Sequence, residues 1–176
     1  CVLKVLMGNR KDNLLKAKED EAGRECDYVI KGKKGNDKLL GLGGNDRISG
    51  QVGDDRLVGG EGNDNLRGGS GDDKLSGKDD NDKLVGGSGD DILRGGKGDD
   101  LLNGGRGTNT LIGNVGTDMF VLKDIPGSLQ EIRNFSKKQG DQFRLVGGLR
   151  FKQLEFSQLG KRALISVDGN VIAEVT

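Results

Sequence analysis

A nine-residue repeat runs without insertion from residue 32 to residue 121 and dominates the sequence. Position one is glycine in all ten copies, position four is glycine in nine, and position six is aspartate in nine. Asp80 breaks the pattern at position four and Asn109 breaks it at position six. So strict a period predicts a stack of equivalent units, each of which buries its apolar side only against its neighbours.

Each copy divides into a turn segment and a strand segment. The first six residues are rich in glycine and can form tight turns, while the last three predict a short strand with an inward-pointing middle residue. Two copies then make one coil of turn, strand, turn and strand, and stacked coils make two parallel sheets, three residues wide, around a thin apolar seam. The seam residues predicted at position eight are Leu39, Ile48, Leu57, Leu66, Leu75, Leu84, Leu93, Leu102, Leu111 and Phe120.

Apolar burial alone cannot stabilise such a chain. Only 32% of the residues are hydrophobic and 3% are aromatic, and the 33 glycines make folding entropically costly. The sequence therefore requires a second source of stability, which the position-six aspartates suggest.

Stacking brings every second position-six aspartate to the same edge, about 4.8 Å from its neighbours. Carboxylates at that spacing repel unless a cation lies between them. Ca²⁺ prefers six to eight oxygen ligands, Mg²⁺ fits a strict octahedron, and Zn²⁺ needs histidine or cysteine, which the repeats lack. The sequence thus predicts several calcium ions along two rows. One row is Asp37, Asp55, Asp73 and Asp91, and the other is Asp46, Asp64, Asp82, Asp100 and Asp118.

Composition argues against other functions. The chain has no histidine, so no Ser-His-Asp triad, Cys-His pair or HExxH zinc site can form. Neighbouring carboxylates such as Asp54 and Asp55 could in principle serve a glycosidase, but a catalytic site is singular and a ladder is not. We therefore expect no enzyme. Equal numbers of basic and acidic residues, 28 each, disfavour nucleic-acid binding, and no apolar run is long enough to span a membrane.

The pattern G-G-x-G-x-D-x-U-x, with U apolar, resembles the RTX or haemolysin-type calcium-binding repeat over residues 32–121. The segment from Gly140 to Leu145 also resembles the β-rich tail that follows such arrays, especially in cyanobacterial proteins. The resemblance implies an all-β, right-handed parallel β-roll, a β-solenoid with two nonapeptides per coil, capped by a small antiparallel β region. It also implies an ion between each turn and the turn two repeats later, bound by the position-six aspartates and by carbonyls of positions one to four. Asp55 and Asp73, for example, would share one ion with carbonyls of Gly53, Gly68 and neighbouring residues. The carbonyl candidates are Gly35, Gly44, Gly53, Gly62, Gly71, Gly89 and Gly98 at position four, and Gly60, Gly69, Gly87 and Gly96 at position two.

Some copies depart from the pattern. Pairing turns on the same side gives at most eight sites, of which we expect about five to seven to be strong. Sites that involve Asn109 or the Asp80 turn should be weaker, because an amide is a poorer ligand and Asp80 distorts its turn. Basic residues at position seven favour a solvated face, with binding to acidic polysaccharide, lipid head groups or a cell surface as the alternative. They are Lys38, Arg47, Arg56, Lys74 and Lys83.

The flanks differ from the repeats. Residues 1–31 are interpreted as a degenerate N-terminal extension, with a charged segment at 16–25 that is a short helix or a loop. Residues 122–176 are interpreted as a β-rich cap with a possible secretion signal, because a solenoid end exposes apolar surface. The strands predicted in the cap are 129–135, 142–146, 151–156, 163–167 and 171–175.

The N-terminus leaves several alternatives open. Cys1 and Cys26 are compatible with one disulfide, two free thiols or a lipidated Cys1, and we expect two unreactive thiols. The first seven residues are too short for a secretory signal, and a start at Cys1 suggests a fragment or a processed product.

Three functional hypotheses follow. The resemblance favours a calcium-driven folding module of a protein secreted by the type I pathway, with calcium ions and the secretion machinery as partners and an extracellular location. The second hypothesis is a structural or adhesive surface protein, such as an S-layer or matrix component. The third is the C-terminal part of a toxin or exoenzyme.

Overall fold

The computed structural model describes residues 3–18 and 26–176. The charged segment at 16–25 therefore lies mostly outside the described residues. The described chain forms strands and one short 3₁₀ turn at Phe151–Gln153. Strands up to the end of the repeats are β1 (Lys4–Met7), β2 (Leu14–Lys16), β3 (Tyr28–Lys34), β4 (Lys38–Gly43), β5 (Arg47–Val52), β6 (Arg56–Glu61), β7 (Asn65–Ser70), β8 (Lys74–Asp79), β9 (Lys83–Ser88), β10 (Ile92–Lys97), β11 (Leu101–Arg106), β12 (Thr108–Val115) and β13 (Met119–Leu122). The strands that follow are β14 (Leu129–Arg133), β15 (Gln142–Leu145), β16 (Glu155–Leu159), β17 (Arg162–Val167) and β18 (Asn170–Val175).

The strands alternate between two sheets along the chain. Odd-numbered strands from β1 to β15 form an eight-stranded sheet, here called the first sheet. Even-numbered strands from β2 to β14, joined by β16, β17 and β18, form a ten-stranded second sheet. Pairing within the repeats is parallel, and Leu57 lies beside both Leu39 and Leu75, two repeats away on either side. The predicted parallel β-roll with two nonapeptides per coil is confirmed.

The apolar seam lies between the two sheets. All ten position-eight side chains are buried, as predicted, and Ile30 and Leu122 extend the seam at its two ends. Towards the C-terminus Phe120 meets Phe135 and Phe143, whose rings stack with their centres 4.5 Å apart. The seam is one side chain wide, so its apolar contribution per coil is small and the turns must supply the rest of the stability.

The repeat strands are longer than predicted. Each typically has six residues and covers positions seven, eight, nine, one, two and three, so that only positions four to six remain as a turn. The expected three-residue strand is therefore wrong. Leu40 pairs with Val58 and Leu42 pairs with Gly60, whereas position one, between them, has no partner in the register. The position-one glycine thus interrupts the pairing without ending the strand.

The C-terminal region continues the roll before it turns back. Strand β15 adds to the first sheet and β14 adds to the second, both in parallel. The antiparallel region predicted at the C-terminus is present and comprises β16, β17 and β18, with β18 also joining β14 in parallel. The strand predicted at 151–156 is wrong at its start, where the 3₁₀ turn at Phe151–Gln153 precedes β16.

The N-terminal strands β1, β2 and β3 carry the same parallel ladder upstream of residue 32. Cys26 is disulfide-bonded, so the expectation of two free thiols is wrong. Spacing in the sequence could not decide this, because bonding depends on whether the fold brings two cysteines together. Among the described residues, no helix has the length and apolarity needed to cross a lipid bilayer.

Candidate metal centre

Each turn is built on a position-four residue with positive φ. Gly53, Gly71 and Gly89 have φ of 126°, 121° and 128°, a conformation that glycine adopts without a steric penalty. A Cβ on Gly71 would collide with the carbonyl oxygen of Gly53 in the preceding coil, and one on Gly89 would collide with that of Gly71. The lack of a side chain at position four therefore lets successive turns stack closely, with a row of position-four carbonyl oxygens along each edge of the roll.

The position-six aspartates form two rows, as the sequence predicted. Each Oδ1 atom accepts a hydrogen bond from a backbone N–H of the preceding coil. In the first row the N–H of Asp55 donates to Asp73 at 2.8 Å, and that of Asp73 donates to Asp91 at 2.9 Å. In the second row the N–H of Asp64 donates to Asp82 at 2.8 Å. One carboxylate oxygen of each aspartate is thereby used to join consecutive coils.

The second carboxylate oxygen, Oδ2, is buried and receives no hydrogen bond. A buried charged oxygen without a donor is costly because water no longer solvates it. Eight aspartates in the described part of the chain show this feature: Asp37, Asp55, Asp64, Asp73, Asp82, Asp91, Asp100 and Asp118.

The position-one glycine makes room for this oxygen. A Cβ on Gly32 would collide with Asp37 Oδ2, and one on Gly59 would collide with Asp64 Oδ2. The position-one carbonyl oxygen of the next coil points into the same space: Gly50 O lies 2.9 Å from the point that a Cβ on Gly32 would occupy. A carboxylate oxygen and a carbonyl oxygen thus converge with no donor between them, and this arrangement favours a cation.

Burial also raises the pKa of the carboxyl groups from Asp55 to Asp100 in the two rows. Loss of solvation is the largest cause, and neighbouring carboxylates add to it. The pKa of Asp82 rises to about 8, and the pKa values of Asp64, Asp73, Asp91 and Asp100 rise to about 7. Hydrogen bonds from the backbone act in the opposite direction but do not offset burial. Without a cation, the five aspartates just named are therefore partly protonated near neutral pH.

The donor set fits a hard divalent cation. Among the described residues no three acidic, cysteine or histidine side chains converge on one point. An ion between two coils would therefore be held by two aspartates and by backbone carbonyl oxygens, an all-oxygen set of the kind that Ca²⁺ prefers. The unpartnered Oδ2 atoms and carbonyl oxygens of the turns would supply such a set without a third carboxylate.

The carbonyl donors expected from the sequence fall into two groups. Position-four glycines, such as Gly53 and Gly71, lie in the turns beside the aspartate rows. Position-two glycines lie instead within strands: Gly60 in β6, Gly69 in β7 and Gly87 in β9. Their ligand role remains a prediction for both groups. Position one is also among the expected donors, as at Gly68. At the equivalent position, Gly50 O and Oδ2 of Asp37 both border the point that a Cβ on Gly32 would occupy.

A second ladder at position five was also missed. Its side chains accept hydrogen bonds from the backbone of the following coil, opposite in direction to the position-six ladder. The N–H of Asp72 donates to Asp54 at 2.9 Å, and the N–H of Asp90 donates to Asp72 at 2.8 Å. These side chains are exposed. The signal was visible in the sequence, where position five is Asn or Asp in eight of ten copies.

Asp141 extends the second row beyond the last complete copy. Its Oδ1 accepts a hydrogen bond from the N–H of Asp118 at 3.0 Å, and its Oδ2 accepts one from Ser136 at 2.8 Å. A degenerate repeat, with Asp141 at position six and Phe143 at position eight, indicated this role in the sequence. Because Ser136 satisfies its Oδ2, Asp141 differs from the aspartates within the repeats.

The two copies that contain Asn109 and Asp80 differ from the regular copies in their hydrogen bonds. Asn109 accepts a hydrogen bond from the N–H of Asp91 at 2.9 Å, but Oε1 of Gln130 lies in the space that an aspartate oxygen fills elsewhere. Asp80 holds the turn conformation with φ of 72°, and its side chain accepts a hydrogen bond from Gly62 at 3.0 Å. The fold is thus maintained at both positions.

The family model of the RTX calcium-binding nonapeptide repeat, in four copies, matches residues 29–57, 49–84 and 85–120. These segments together cover more than half of the 176 residues. The chain belongs to the RTX calcium-binding repeat family. Proteins of this family bind calcium through a parallel β-roll, which agrees with the all-oxygen donor rows described above. No curated protein matches this chain.

Proposed function

We propose that this RTX roll is a calcium-driven folding module of a secreted protein. The observation that carries the proposal is the row of buried, unpartnered Oδ2 atoms, such as those of Asp55, Asp73 and Asp91, in register along the roll. Folding buries these negative oxygens, and a bound ion offsets the cost. Bound Ca²⁺ neutralises the carboxylates and joins one coil to the next.

The ligands proposed for each ion are two position-six aspartates from turns two repeats apart, together with turn carbonyls. Asp55 and Asp73, for example, would share one ion, with carbonyl oxygens supplied by Gly53, Gly68 and neighbouring residues. Each interior aspartate serves two neighbouring sites, so binding at one site preorganises the next. Sites that share a ligand give a steep dependence of folding on calcium concentration.

The proposal of secretion rests on the difference in calcium concentration between the inside and the outside of a cell. Extracellular calcium modules bind with dissociation constants of about 10⁻⁴–10⁻³ M, far above cytosolic calcium. The chain would stay unfolded inside the cell and fold outside, as type I export requires. Family membership supports an extracellular location, and we propose no catalytic role for the chain, because its carboxylates form a repeated ladder without a singular site.

The test is far-ultraviolet circular dichroism during titration from excess EGTA into millimolar calcium. We expect a cooperative gain of β structure with Ca²⁺ and a much smaller gain with Mg²⁺ at equal concentration, because Mg²⁺ retains its water ligands. A spectrum that is the same in EGTA and in calcium would refute the proposal.

A role at the cell surface is the second candidate, and the distribution of charge favours it. Outward-facing basic side chains on both sheets leave the acidic residues concentrated in the turns, where calcium binds. A protein of zero formal net charge can therefore present basic faces.

A further inference from the structure

The first sheet carries no acidic residue on any of its strands. The second sheet, by contrast, includes Glu61, Asp79 and Glu131. Positive charge on the first sheet is therefore not balanced on the sheet itself. Its basic residues are Lys4, Lys31, Lys33, Lys34, Arg47, Arg67, Lys83, Arg106 and Arg144.

A groove of about 550 Å³ crosses the outer face of this sheet from β5 to β11. Its floor is a row of three position-two glycines, Gly69, Gly87 and Gly105, that lie side by side in the register. Residues on either side of this glycine row form the walls of the groove, with Arg67 on one side and Arg106 on the other. At about 4.8 Å per strand, three steps give the groove a length of roughly 14 Å along the roll.

The backbone keeps the floor free of side chains. The three glycines have φ of 134°, 132° and 94°, and a Cβ on any of them would collide with a carbonyl oxygen of the preceding strand. In the equivalent row of the second sheet, larger residues alternate with glycines: Leu42, Gly60, Lys78, Gly96 and Asn114. A continuous glycine floor of three strands is therefore a feature of the first sheet, built by its own repeats.

Two arginines are available to a ligand in the groove. Arg67 and Arg106 are exposed, lie on opposite sides of the glycine row and are two strands apart, or about 10 Å along the roll. Neither takes part in the ion pairs found among the described residues. Guanidinium groups in such positions can each form paired hydrogen bonds with a carboxylate or sulfate group.

Calcium binding increases the positive potential of this face. The formal net charge of the chain is zero, and each bound Ca²⁺ adds two positive charges at the turns. The same step that folds the roll therefore makes it a polycation and forms the groove. This step rests on the function proposed above.

The lining of the groove indicates the class of ligand. Hydroxyl groups of Ser49, Ser70 and Ser88 line it, and the only apolar side chain in its lining is that of Ile125. A base-stacking site for single-stranded nucleic acid would need aromatic side chains, and the lining has none. Hydroxyl groups, a flat glycine floor and two separated arginines suit a linear chain that bears hydroxyl and anionic groups. We propose that the calcium-loaded roll binds an anionic polysaccharide in this groove, with Arg67 and Arg106 as the anion-binding residues.

The experiment measures binding of the full chain to dextran sulfate by isothermal titration calorimetry in saturating calcium, with unmodified dextran as the uncharged control. The test variant combines Arg67→Gln and Arg106→Gln. The matched control combines Arg56→Gln and Arg94→Gln, which removes the same charge from exposed arginines on the second sheet. We expect about a tenfold or greater loss of affinity in the test variant, as befits two charge-assisted contacts, and less than about a threefold loss in the control. Dextran should not bind.

Several results would overturn the inference. Equal losses of affinity in the two double variants would show that dextran sulfate is attracted by the net charge of the protein and does not bind in the groove. Binding to vesicles of phosphatidylserine, without binding to dextran sulfate, would assign the face to lipid instead. A roll that folds in calcium yet ignores dextran sulfate would refute the groove while leaving the proposed function intact. A roll that folds without calcium would refute the proposed function, and the two double variants would then test the groove in EGTA.

Discussion

Asp73→Asn should change the stability of the roll in opposite directions with and without calcium. Asp73 lies in the middle of the first row, its Oδ1 accepts the N–H of Asp55 at 2.8 Å, and its Oδ2 is buried without a partner. Asparagine has the same shape and retains an oxygen for the N–H of Asp55. The substitution therefore removes the charge and leaves the ladder in place.

Without calcium, the charge of Asp73 is a cost. Burial raises its pKa from 3.8 to about 7, and each pKa unit corresponds to about 1.4 kcal/mol. The metal-free turns can relax around the charge, so we expect the amide to recover roughly 1–2 kcal/mol of that cost at pH 8. In EGTA the variant should thus reach the folded state at a lower concentration of a stabilising osmolyte than the parent does.

With calcium, the same charge is a ligand. A site filled at one hundred times its dissociation constant contributes about 2.7 kcal/mol. Asp73 would serve two such sites, one shared with Asp55 and one shared with Asp91, so Asp73→Asn should cost up to about 5 kcal/mol and shift the calcium midpoint upward.

The assay compares two titrations by circular dichroism, osmolyte in EGTA and calcium in buffer. Asp72→Asn is the matched control, because Asp72 is adjacent, exposed and also accepts a backbone hydrogen bond, from Asp90 at 2.8 Å. The control should show no reversal of sign. Destabilisation of similar size in both titrations of the Asp73 variant would show that the carboxylates only join coils, and the reasoning for an ion site would fail.

Three further predictions concern pH and the irregular copies. In EGTA, β structure should increase as pH falls from 8 to 5. The folded-state pKa of Asp82, about 8, lies above its unfolded value of 3.8, so the folded chain binds more protons than the unfolded chain in this window, and its stability falls as pH rises. Circular dichroism that shows less β structure at pH 5 than at pH 8 would contradict this. Lys78→Gly should stabilise the calcium-loaded roll by about 1 kcal/mol, because the φ of 102° at Lys78 is strained for lysine but not for glycine. Lys74→Gly on the same strand should instead destabilise the roll by roughly 0.5–1 kcal/mol. Urea unfolding in calcium measures both changes, and equal effects would refute the strain argument. Asn109→Asp should lower the calcium midpoint, because it restores a carboxylate beside Asp91; an unchanged midpoint would show that Gln130 prevents the site from forming.

The repeat made the roll predictable from sequence. A nine-residue period with one apolar position fixes both the side chains that enter the seam and the eighteen-residue register, as in the stack of Leu39, Leu57 and Leu75. No long-range information is needed, because each coil contacts only copies of itself. Prediction was weaker where the period fails, as at Phe151–Gln153, where alternating apolar residues suggested a strand.

The atomic arrangement of the candidate site was less predictable. Sequence reasoning placed the aspartates in rows and gave glycine two roles, in turns and as a donor of carbonyl oxygens. The structure gives the position-one glycine a different role, since a side chain on Gly32 or Gly59 would displace the carboxylate folded against it. Composition alone cannot distinguish a glycine needed for positive φ, such as Gly53, from one needed for close approach.

The two ladders show what is left for calcium to do. Position-five side chains accept hydrogen bonds from the following coil, as Asp54 does from Asp72, while position-six side chains accept them from the preceding coil, as Asp73 does from Asp55. Consecutive coils are therefore already joined in both directions by hydrogen bonds, and these use only one oxygen of each position-six carboxylate. The remaining oxygen is buried, charged and without a donor, and it faces a backbone carbonyl from the next coil. Because this defect recurs in every coil and hydrogen bonds cannot remove it, a cation that spans neighbouring coils relieves it in both at once, which is why folding should be cooperative in calcium.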